Sequence, residues 1–123
     1  MSNEIMRREM KEALDAGERA LSSLRKAQEK LNTIMKRSKM DDAQQLMEAA
    51  KTDLKRFQRE LKDVNIPLDL RMEVGSFLSF ADFFFDGFVA DYLVQSKISE
   101  AKEQVSDAII RVEQILNELK RKM

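Results

Sequence analysis

Residues 10–35 read MKEALDAGERALSSLRKAQEKLNTIM, and the spacing of the apolar positions within them decides the fold class. Met10, Leu14, Gly17, Leu21, Leu24, Gln28, Leu31 and Met35 follow one another in alternating steps of four and three, the repeat of an α-helix buried along one stripe against other helices. Met6, Ala13, Ala20, Ala27 and Ile34 run alongside and widen the stripe. Gly17 costs a helix about 1 kcal/mol relative to alanine. The repeat nevertheless stays in phase on both sides of it, so the helix continues and the glycine predicts close backbone packing. Ser2 or Asn3 can cap the start, and Glu4 suits the positive helix end. A helix over residues 4–37 would be roughly 50 Å long.

The same repeat restarts further along. Ser38 to Asp42 reads as a short connection, and Asp41 or Asp42 followed three residues later by Gln44 or Gln45 forms a capping box. Ala43, Met47, Ala50, Leu54, Phe57, Leu61 and Val64 form the next seam, on a helix over 42–64. So short a link makes the first two helices an antiparallel hairpin. Pro67 then ends helical geometry at the residue before it and suits the first turn of the helix that follows. From there the seam is Leu70, Phe77, Phe80, Phe84, then Val94, Ile98, Ala101, Val105, Ala108, Val112, Ile115 and Leu119, flanked by Ile109 and Leu116. Glu73, Gly87 and Asp91 fall in this seam too, where large apolar groups are expected. One uninterrupted helix over 68–121 would be about 80 Å long and would overhang the hairpin. A break between 86 and 91 avoids this and yields helices over 68–86 and 88–121. The expected architecture is one all-α domain spanning 1–123, an antiparallel up-down bundle of four long amphipathic helices with coiled-coil-like packing. The alternative has three helices, the last of them overlong.

Between Phe77 and Val94 the predicted helix is apolar on every side, and six of the chain's seven phenylalanines lie between Phe77 and Phe88. A helix without a wet face must be enclosed by neighbours, whereas two intrachain helices cover only a stripe. Left bare, the remainder would exceed the apolar patch that monomers usually carry. The expectation is a homodimer whose interface comprises Phe77, Phe80, Phe83, Phe84, Phe85, Phe88, Val89, Tyr92 and Leu93. Gly87 would allow close approach where two copies cross about a two-fold axis.

Composition narrows the chemistry. The chain has 123 residues, no cysteine, no histidine, one proline and three glycines, and 36% of it is charged. Such usage belongs to long helices. Disulfides, thiolate nucleophiles and typical zinc sites are excluded, as are Ser-His-Asp, Cys-His and Glu-x-x-His di-iron arrangements. The glycines form no phosphate loop, since no strand precedes them and no Gly-Lys-Ser or Gly-Lys-Thr follows. Formal net charge is zero, which argues against nucleic acid as the main partner. Residues 1–8, MSNEIMRR, offer no apolar h-region and run into a charged amphipathic pattern, so no secretory signal is expected. Asp82, Asp86 and Asp91 interrupt the stretch from Ser76 to Gln95, each costing about 2.5–3.5 kcal/mol at a bilayer centre, so no membrane span is expected and the address is cytoplasmic.

Two charged groups remain as candidates. Asp82 and Asp86 stand four residues apart on one helix face with Asp91 beyond them, a pattern that a hard cation such as Mg²⁺ would use in a nucleotide phosphohydrolase. Such a design also needs carboxylate pairs on facing helices, and Glu48, Asp53 and Glu60 lack suitable spacing, so these acids read as structural. Lys51, Lys55, Arg59 and Lys62, with Arg56 beside them, form a basic stripe on the second helix that could meet nucleic acid or a membrane surface. Glu48, Asp53, Glu60 and Asp63 lie among them, and ordinary ion pairs four residues apart are the simpler expectation. Met6, Met10, Met35 and Met47 fill seams. No catalytic, cofactor-binding or metal residue is assigned. The function expected is non-enzymatic, with an unknown protein partner and an adaptor, regulatory or structural role.

Overall fold

The computed structural model describes residues 2–33, 40–64 and 95–122, and side chains within 4–33, 45–64 and 99–121. These residues form three helices and no strand: α1 (Ser2–Thr33), α2 (Met40–Leu61) and α3 (Gln95–Lys122). At 32, 22 and 28 residues they are about 48, 33 and 42 Å long. The expected helices over 68–86 and the first part of 88–121, and the break near Gly87, lie outside the described residues.

Cross-helix contacts fix the directions. Ser23 of α1 meets Asp53 of α2, while Gly17, earlier in α1, meets Phe57, later in α2. The hairpin is therefore antiparallel. Glu18 pairs with Lys120 and Arg25 with Glu113, so seven residues forward on α1 correspond to seven residues back on α3. It follows that α2 and α3 run parallel to each other, on two sides of α1. Among the described residues, no Cα of α2 comes within 8 Å of one in α3. The chain leaves α2 at one end of the assembly and enters α3 at the other.

On α2 and α3 the buried residues are those the periodicity predicts: Met47, Ala50, Leu54, Phe57, Leu61 and Val64, then Ala101, Val105, Ala108, Val112, Ile115 and Leu119, with Ile109 and Leu116 beside them. On α1 the expected seam is corrected. Its buried positions are Met10, Ala13, Ala16, Gly17, Ala20, Leu24, Ala27 and Leu31, whereas Leu14, Leu21 and Gln28 are only half-buried. The three-and-four repeat survives, but it runs 10, 13, 17, 20, 24, 27, 31. Two neighbours press on α1 at once, so the positions beneath them must be small, and the larger leucines stand at the side.

Gly17 shows the constraint most sharply. A Cβ added there would lie 2.6 Å from Leu116 Cδ2, 2.7 Å from Phe57 Cε1 and 2.9 Å from Phe57 Cζ, so side chains from α2 and α3 converge on one point of the α1 backbone. No described glycine has a positive φ. Gly17 is needed for its missing side chain, as the sequence predicts, and not for a special backbone conformation.

Helix α2 begins at Met40, so Asp41 and Asp42 fall inside its first turn instead of at its predicted cap. It also ends earlier than expected. Lys62, Asp63 and Val64 donate backbone N–H groups to the carbonyls of Arg59, Glu60 and Leu61 at 3.1–3.2 Å, the tightened i to i−3 pattern that uses up otherwise orphaned carbonyls. Val64 remains in the core.

Candidate functional site

Every described core position is apolar, and no polar or charged side chain among the described residues is buried. Groups capable of chemistry therefore lie on the surface or its margins. Among the described residues, no three carboxylates gather as a metal site would require, and no helix is long and apolar enough to cross a membrane. The predicted interface residues Phe77, Phe80, Phe83, Phe84, Phe85, Phe88, Val89, Tyr92 and Leu93 lie outside the described residues, as do Glu73, Asp82, Asp86 and Asp91.

A cleft of about 540 Å³ opens between α1 and α3, lined on one side by Glu18, Leu21, Ser22, Arg25, Lys26 and Glu29 and on the other by Glu113, Leu116, Asn117 and Lys120. Leu21, half-buried, and Leu116, buried, form its apolar floor. Two ion pairs bridge its rims, Arg25 Nη2 to Glu113 Oε2 at 3.4 Å and Lys120 Nζ to Glu18 Oε1 at 3.7 Å. Their side chains keep 46–61% of their surface, so water screens both pairs and neither contributes much to folding. The sequence reading singled out none of these residues. The signal was present all the same: Glu18, Ser22 and Arg25 on α1 and Glu113, Asn117 and Lys120 on α3 repeat one order, acid, neutral polar, base, with identical spacings of four and three.

A shallower hollow of about 340 Å³ lies between α1 and α2, lined by Lys26, Glu29, Lys30, Thr33 and Leu46. Farther along the same pair, the Ser23 hydroxyl donates to Asp53 Oδ2. This part-buried contact joins the two helices and takes Asp53 out of the surface charge pattern.

The basic stripe of α2 is where the sequence places it. Lys55, Arg56, Arg59 and Lys62 are exposed and Lys51 is half-buried. Two of the intrahelical pairs expected around it do not form: among the described residues, Arg56 makes no ion pair with Glu60, nor Arg59 with Asp63, although each pair is four residues apart, whereas Lys51 is engaged. The four exposed cations thus point to water. Long side chains held only by a screened attraction gain little from pairing there.

No known protein family, curated protein or solved structure matches this chain.

Proposed function

We propose that this chain is a non-enzymatic helical-bundle protein that acts through protein–protein contact, as an adaptor, regulatory or structural component, and that it self-associates through the Phe-rich segment 77–94. The observation that carries this proposal is the wholly apolar described core. Bundles that house cofactors or catalysis place inward-facing polar residues there. The Phe-rich segment adds a helix-length stretch with no wet face, which calls for cover beyond two neighbours. Light scattering of the wild type and Phe85→Glu tests it: an assembly whose mass falls in the variant supports self-association through this segment. A wild type that is a 14.3 kDa monomer at micromolar concentration refutes it.

The full architecture proposed is a four-helix up-down bundle. Its support is the parallel course of α2 and α3, both antiparallel to α1 with their backbones apart, the relation of diagonal partners in such a bundle. The thirty residues 65–94 suffice for a helix of about 45 Å. One unbroken helix over 68–121 fits this course poorly, since α3 starts at the end of the assembly opposite to where α2 finishes. The three-and-four burial repeat on all three described helices supports coiled-coil-like packing.

A second reading draws on the unpaired cations of α2. Lys55, Arg56, Arg59 and Lys62 could hold a polyanion, nucleic acid or an anionic membrane surface, by charge alone. Retention on heparin that weakens with salt and with Lys55→Ala/Arg59→Ala would support it, and passage through the column at low salt would refute it.

A further inference from the structure

The repeated acid–polar–base order on the two rims of the α1–α3 cleft makes this face self-complementary, and we infer that it binds a second copy of this chain, through a surface separate from the Phe-rich segment. Because α1 and α3 are antiparallel, Glu18 sits across from Lys120 and Arg25 across from Glu113, with Ser22 and Asn117 at the middle level of the cleft. A two-fold axis lying in the plane of this face at that level, along or across the helices, sets Glu18 and Glu113 each opposite a base of these triplets in the other copy, with Lys26 and Glu29 beyond them on the α1 rim. If α1 stacks on the partner's α1, the acid at the start of each triplet meets the base at its end. If α1 stacks on the partner's α3, acid again meets base. Few charge patterns survive both placements, and a pattern that does has the property an isologous interface requires.

The chemistry of the face agrees. Leu21 and Leu116 offer an apolar floor, and the neutral side chains of Ser22 and Asn117 leave no charge to be buried at the centre. Ile110, three residues before Glu113 and seven before Asn117, extends the same face with a side chain that is 49% exposed. It is the one large exposed apolar residue among those described on α3. The rim charges are already desolvated in part by their intrachain pairs, and at 3.4 and 3.7 Å these are loose enough to share a second partner. Charges arranged in this way choose the partner and its register more than they supply raw affinity.

The test uses two full-length variants. Arg25→Glu/Lys120→Glu makes all four charges of the two triplets acidic, and Glu18→Lys/Glu113→Lys makes all four basic. Each alone should associate at least about tenfold more weakly than wild type, while an equimolar mixture, one variant isotope-labelled and read by native mass spectrometry, should form mixed species well above the statistical proportion. Recovery in the mixture also shows that both variants fold, and circular dichroism checks this independently. Variants that associate as the wild type does, and mix only statistically, overturn the inference while leaving association through the Phe-rich segment intact. A wild type that remains monomeric overturns both.

Discussion

The inward face of α1 and those of α2 and α3 are built on opposite plans. Between Ala13 and Ala27, α1 turns Ala13, Ala16, Gly17, Ala20 and Ala27 to the core, interrupted by Leu24. In α2 the core is Met47, Leu54, Phe57 and Leu61 around one alanine, and in α3 it is Val105, Ile109, Val112, Ile115, Leu116 and Leu119 with Ala101 and Ala108. The small helix lies between the two large ones. Its neighbours can approach closely because it presents almost nothing to keep them away, and their side chains fill the space above its backbone. Volume in the core is therefore supplied by α2 and α3, and proximity by α1. The lesson is an asymmetry of response: truncation should injure the outer helices, and enlargement the middle one.

The strongest break of that contrast is Phe57→Ala. Phe57 is fully buried and reaches the α1 backbone, so its removal should destabilise the fold by about 3–5 kcal/mol, read as a lower urea midpoint. Enlargement on α1 comes next. Gly17→Leu should cost about 1–3 kcal/mol or more, because the buried Phe57 and Leu116 leave no room. Gly17→Ala recovers about 1 kcal/mol of helix propensity and should end nearer neutral, yet still unfavourable. Combined with Phe57→Leu its cost should shrink, and a double-mutant cycle measures the coupling. Strict additivity would mean that these residues do not compete for the same space.

Smaller effects sharpen the comparison at its polar edges. Ser23→Ala removes the hydroxyl that holds α1 to Asp53 of α2 and should cost about 1 kcal/mol, seen in the same denaturation series. Arg25→Ala should change stability least, by about 0.5 kcal/mol or less, because its pair with Glu113 is exposed. Its effect belongs instead to association across the cleft, which sedimentation velocity reads.

The seams of α2 and α3 are legible from periodicity because their buried positions are also their largest apolar residues. On α1 these two properties separate. Leu14 and Leu21 dominate the pattern by size and carry the expected seam on to Gln28, while Ala13, Ala20 and Ala27, one residue before Leu14, Leu21 and Gln28, occupy the centre. Which of two adjacent stripes faces inward depends on where the neighbours stand, and that is a tertiary fact. Gly17 was readable for the complementary reason: a helix-weakening residue retained in phase signals a backbone that something must touch. The cleft escaped notice because its charges resemble any solvated helix face. Only the antiparallel register, unknown until α1 and α3 are placed together, turns two ordinary triplets into matching rims.

The central claim is that this chain acts by contact with other chains, its own copies first. Sedimentation velocity of the wild type at micromolar concentration tests this most directly. A species of at least twice 14.3 kDa is the predicted result, and a lone sedimenting species at 14.3 kDa would contradict it.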